Sequence, residues 1–155
     1  MKKILSLLIV FAALFLLSGC SLAKTKITKC TLTSDQSASG YVLDSTYEIY
    51  SKGDVVYKVS TKEVVTSKNN TVLQYFEKTL KDQYKSSNDI YGGYSYDVKT
   101  KDGKVSSTVT IDYNKMDLNK FVKNNTAMKS YVNKNNKLTL EGAKKLYESL
   151  GATCK

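Results

Sequence analysis

The chain has 155 residues with 24 basic side chains against 14 acidic ones, a formal charge of +10, and every basic residue is a lysine. It contains no His, Arg, Trp or Pro, which excludes Ser-His-Asp and Cys-His catalysis, histidine-bound zinc and forked arginine recognition of phosphate. No glycine-rich phosphate loop is present either, so no cofactor or metal is expected, and neither is a nucleic-acid partner.

Lys2 and Lys3 precede an apolar run from Ile4 to Leu17 that closes on Leu17-Ser18-Gly19-Cys20. A basic start, a short apolar middle and small residues before a cut are the parts of a secretory signal. A cysteine just after the cut resembles the bacterial lipobox. The rival reading, an uncleaved anchor helix, fails on length: these 14 residues would reach ~21 Å, whereas the hydrocarbon core is ~30 Å thick. The expectation is a signal peptide over 1–19, a lipidated N-terminus and tether over 20–27 starting at Cys20, and one domain over 28–155. The mature chain would be held on the extracytoplasmic face of the cell membrane by its acyl chains.

Loss of Lys2 and Lys3 leaves 22 lysines against 14 acids, still a formal +8. Such a surface is attracted to anionic headgroups or wall polymers. Yet Lys78, Lys81, Lys85, Lys144 and Lys145 lie among helical apolar positions, where a solvated face is the simpler explanation. Cys30 and Cys154 stand near the two ends of the domain, and in an oxidising compartment they suggest a disulfide. Free thiols are the alternative. A two-cysteine metal site or a thiol nucleophile without imidazole is weaker still.

In chain order, Lys26 to Thr33 predicts a first strand, followed by a Ser/Gly loop from Ser34 to Gly40. Tyr41, Leu43, Tyr47 and Ile49, then Val55, Tyr57 and Val59, keep a period of two on either side of Ser51-Lys52-Gly53-Asp54, which predicts a hairpin reaching to about Thr66. Asn69-Asn70 offers a helix cap, and Val72, Leu73, Phe76 and Leu80 share one side of a helix to about Lys85. Ser86 to Gly93 reads as a breaker loop. Tyr94, Tyr96 and Val98 alternate toward the turn Asp102-Gly103, answered by Val105, Val109 and Ile111. Asp117 could cap a short helix through Val122. Thr139 could cap a longer one bearing Leu140, Ala143, Tyr147 and Leu150 and ending at Gly151. Two hairpins with helices after them predict an α+β fold: an antiparallel sheet of about five strands with two to three helices packed on one face.

Three segments carry a likeness: Thr46 to Val56, Val109 to Tyr113 leading into Met116-Asp117-Leu118, and the closing helix before Leu150-Gly151. They resemble the YehR-like bacterial lipoproteins over most of the mature chain. The resemblance implies a small exported lipoprotein with one α+β domain of unknown function, and supplies no functional residue. The Cys30/Cys154 pair is not a general feature of that family.

Three constellations invite a chemical reading. Tyr91, Tyr94 and Tyr96 surround Gly92-Gly93 and could form a sugar or peptide platform, or simply enter a strand half-buried. Asp112 to Asp117 places oxygen ligands at alternate positions, but Asp117 stands where a calcium loop needs Gly and Lys123 where it needs Glu. Glu48, Lys58, Lys62 and Glu63 could pair across strands. The reading is binding rather than catalysis: an interaction or scaffolding module of the cell envelope, meeting the membrane through Cys20 and another envelope protein or an anionic wall polymer. The alternatives are a small-molecule or wall-fragment binder with Tyr91, Tyr94 and Tyr96 as its rim, and a hydrolase using lysine and carboxylate groups.

Overall fold

A computed structural model describes residues 24–155; the apolar run, the lipobox and Cys20 lie outside them. The described chain forms β1 (Thr25–Gln36), β2 (Tyr41–Lys52), β3 (Val55–Thr66), helix α1 (Asn70–Tyr91), β4 (Tyr94–Lys101), β5 (Lys104–Asp112), helices α2 (Leu118–Asn124) and α3 (Leu140–Ser149), and β6 (Thr153–Cys154). All six strands join one antiparallel sheet in the order β4-β5-β3-β2-β1-β6. The class is α+β as expected, with one strand more than the sequence suggests.

Register explains which face is buried, because directly opposed residues point the same way. Ile49, Val59, Ile111 and Tyr94 make one row across β2, β3, β5 and β4; Leu43, Val65 and Val105 make another. These rows feed two apolar clusters. One holds Ile49, Val56, Val59, Leu138, Ala143 and Tyr147; the other holds Val65, Leu73, Tyr84, Val98, Val105 and Val109. Burial of each large aliphatic side chain contributes roughly 1.5–3 kcal/mol. The alternate rows, such as Lys29, Glu48, Ser60 and Thr110, are polar and leave the other face of the sheet open to water, as antiparallel sheets allow.

The helix caps agree with the sequence. Asn69 accepts from the Thr71 amide, Asp117 from the Lys120 amide and Thr139 from the Gly142 amide, each at 2.9 Å. Gly142 is also an obligatory contact, since a Cβ there would lie 2.0 Å from the Tyr131 carbonyl oxygen.

Boundaries differ in four places. β1 runs from Thr25 to Gln36 because β2 offers it an unbroken ladder from Lys52 to Tyr41. The expected Ser34–Gly40 loop is therefore only a 3-10 turn over Ser37–Ser39 closed by Gly40 at φ +83°, and a strand begins inside the expected 20–27 tether. The expected breaker loop from Ser86 to Gly93 is helical as far as Tyr91. Packing overrides composition there: the Tyr91 ring meets Phe121 edge-on at 5.1 Å, and Lys85 pairs with Asp89 at 2.6 Å along the helix. Finally, β6 has two residues, too few to show any periodicity.

Candidate functional site

Three chain tips converge at the end of the sheet where α1 begins: the β1–β2 turn, the β3–α1 connection and the β4–β5 turn. Ser67 ties them together. Its hydroxyl donates to the Gly40 carbonyl at 2.6 Å and accepts from the Asn69 amide at 3.0 Å, while its own amide donates to the Gly103 carbonyl at 3.1 Å. Around this buried serine lies a broad cleft of about 950 Å³, with Tyr41, Asn70 and Asp102 in its walls. A smaller cleft of about 410 Å³ shares Tyr41 and Asn69 with it and adds Val72, Tyr75 and Phe76. Phe76 sits edge-on to Tyr41 at 4.9 Å and to Tyr75 at 5.8 Å, and Tyr75 is 66% exposed. Flat ring faces beside amide and hydroxyl groups can stack and hydrogen-bond a sugar ring or a peptide. Neither Ser67 nor this aromatic group is marked by a sequence motif; both depend on tips that are distant along the chain.

The tyrosines singled out by the sequence occupy the other end of α1. Tyr91 is its last residue, with its hydroxyl 3.4 Å from the side-chain amides of Asn124 and Asn125. Tyr94 is half-buried against both clusters, and burial pushes its phenol above the ordinary range. Tyr96 is 36% exposed and leans on Tyr84, ring to ring at 5.7 Å. Gly92-Gly93 is a tight corner: a Cβ at Gly93 would stand 2.7 Å from the Asp112 carbonyl oxygen. The three tyrosines therefore pack at a helix-to-strand corner, outside both clefts.

Cys30 and Cys154 face each other across β1 and β6 with Cα atoms 4.0 Å apart and are joined as a disulfide. In the Asp112–Asp117 segment the two carboxylates hold the backbone amides of Asn114 and Lys120, the bonds of a turn and a cap. Among the described residues no three His, Cys, Asp or Glu side chains cluster as metal ligands.

The expected charge pairing on the first hairpin is not formed. Glu63 faces the helices, in a row with Ser45 and Ser107. One of its carboxylate oxygens accepts from the Tyr84 hydroxyl at 3.0 Å and from Ser107 Oγ at 3.3 Å. Ser45 Oγ beside it is buried without a partner. Burial, reinforced by the Glu63 charge, raises the Tyr84 phenol well above its ordinary value. Lys62 stands on the open face opposite Thr46, and Lys58 Nζ lies 3.8 Å over the Tyr50 ring.

No protein-family model matches the chain, and no curated protein matches it. Two solved structures share its architecture. One is a protein from Streptococcus pneumoniae TIGR4, 15% identical, with 90% of each chain covered and a TM-score of 0.51. The other is E. coli YehR, 18% identical, covering 83% of this chain and 91% of that one at a TM-score of 0.55. At such identities the likeness is one of fold alone, and the chain has a YehR-like fold. Among the described residues no helix is long and apolar enough to cross a membrane.

Proposed function

We propose that the chain is an extracytoplasmic lipoprotein, anchored through lipid on Cys20, whose domain serves as an interaction module of the cell envelope with the cleft beside Tyr41 and Phe76 as its contact surface. The observation that carries this reading is the position of the cleft. β1 starts at Thr25 beside Lys52 and ends at Gln36 beside Tyr41, a length of ~36 Å at about 3.3 Å per residue. An anchor at Cys20 thus holds one end of the sheet, and the cleft opens at the other, where an envelope protein can reach it. The resemblance to YehR-like lipoproteins supports the anchoring. A second reading, capture of a wall fragment or other small molecule in the same cleft, is favoured by the exposed Tyr75 ring next to Phe76 and Tyr41.

The test places a photo-crosslinking amino acid at position 75 of the full chain in intact cells. A discrete protein adduct that disappears with Phe76→Asp is the expected result, and a glycan or small-molecule adduct moves the second reading to the front. Membrane fractionation that is unchanged by Cys20→Ala would overturn the anchoring.

A further inference from the structure

At the end of the sheet opposite the cleft, the open face carries an amphipathic patch. Ile27, Tyr50 and Lys58 form one row across β1, β2 and β3, and Ile27 is 56% exposed. The register shift after Tyr50 leaves Tyr57 as the extra residue of β3, with its ring 6.3 Å from that of Tyr50. Lys58 Nζ lies 3.8 Å from the Tyr50 ring centre and Lys52 Nζ lies 5.7 Å from that of Tyr57. Lys24 and Lys115 are exposed at the same end, and so is Lys26, which stands on the other face of β1 with Thr28 and Cys30. The acids nearby are already engaged or fewer: Glu48 accepts from the Tyr50 hydroxyl at 2.9 Å, Asp112 holds the Asn114 amide and lies 3.7 Å from Lys115, and Asp54 occupies the turn.

We infer that this patch of Ile27, Tyr50, Tyr57, Lys52 and Lys58 lies against anionic lipid headgroups. The inference rests on the proposed lipid at Cys20. Five residue-to-residue steps lead from Cys20 to Thr25, a reach of at most ~18 Å at about 3.6 Å per step, so the anchor keeps this end of the sheet at the bilayer surface. Tyrosine rings suit the headgroup level, where one side is apolar and the other wet. Lysines close to an anionic leaflet add an attraction that fades with distance and salt. A single acyl signal holds a protein weakly, whereas chains combined with a basic surface hold it firmly. Contact on this face also fixes the domain's orientation and points the cleft away from the membrane.

The chain from Cys20 onward retains one free thiol, because Cys30 and Cys154 are bonded to each other, and it contains no tryptophan. Cys20 is coupled to maleimide-lipid vesicles made of phosphatidylcholine alone or with phosphatidylglycerol, both containing brominated acyl chains. Tyr57→Trp reports on the patch and Tyr75→Trp on the cleft; Ile27→Trp at an exposed site replaces the first reporter if it folds poorly. On anionic vesicles the patch tryptophan should be quenched several-fold more than the cleft tryptophan. Lys52→Glu with Lys58→Glu, or raised salt, should bring it down to the phosphatidylcholine level. Equal quenching at the two positions, or quenching indifferent to lipid charge, overturns the inference. Chemical coupling makes this outcome independent of lipidation in cells, which palmitate labelling of the wild type against Cys20→Ala decides separately.

Discussion

Tyrosine does much of the packing that tryptophan and phenylalanine do elsewhere, and it leaves a titratable group in the core. Burial holds the phenols of Tyr47, Tyr84, Tyr94, Tyr113 and Tyr147 above their ordinary range. In the unfolded chain the same groups ionise near pH 10. Above that pH the unfolded state therefore binds fewer protons than the folded one, so stability is full below about pH 10 and falls as pH rises further. Phenolate absorbance and circular dichroism followed together should show these tyrosines ionising only as the fold is lost. All 12 tyrosines titrating near pH 10 with native dichroism would contradict this. Glu63 belongs to the same scale. It shares strand parity with Val59 and Val65, yet a charge in that run reads as exposed; its inward place rests on Tyr84 and Ser107, and neither neighbour is local.

Among the elements, helix ends follow local chemistry and helix interiors follow packing. Asn69, Asp117 and Thr139 were legible as caps because a side-chain oxygen beside the first free amides is a property of a few adjacent residues. Thr139→Ala removes the acceptor for the Gly142 amide and should lower stability by about 1 kcal/mol in urea unfolding. The ion pairs along the outer side of α1 are different. Lys78 with Asp82 and Lys85 with Asp89 are largely exposed, so Lys85→Ala should change stability by less than about 0.5 kcal/mol. A larger loss at Lys85 than at Thr139 would reverse this ranking. The last turns of α1 escaped sequence reasoning because Ser86 to Asp89 favour turns on their own, and Tyr91 finds Phe121 only when the chain folds back.

For the whole molecule, the disulfide ties the first strand to the last. The bonded residues are 124 apart in sequence, and in the chain-entropy model a loop of this size is worth at most about 5 kcal/mol. Cys30→Ser together with Cys154→Ser should therefore shift the urea midpoint downward, and reduction should add two alkylation labels to the wild type. An unchanged midpoint would mean that the bond adds nothing to the stability of the fold. β6 covers only Cys30 and Thr31 of β1, and the bond holds in place a strand that two residues of pairing could not.

Residue order alone determined the hairpins and the three caps, since each rests on local spacing, and it pointed to the Cys30–Cys154 pair through the count of cysteines. It also determined which class of fold could follow, through periods of two and of about 3.6. Tertiary structure decided the rest: the cleft around Ser67, the inward Glu63, the packed Tyr91–Tyr94–Tyr96 corner and the lysine-tyrosine patch at the far end of the sheet. The physical reason is separation along the chain. Each of these depends on register between strands or on tips brought together by the sheet, and neither is written in any one segment.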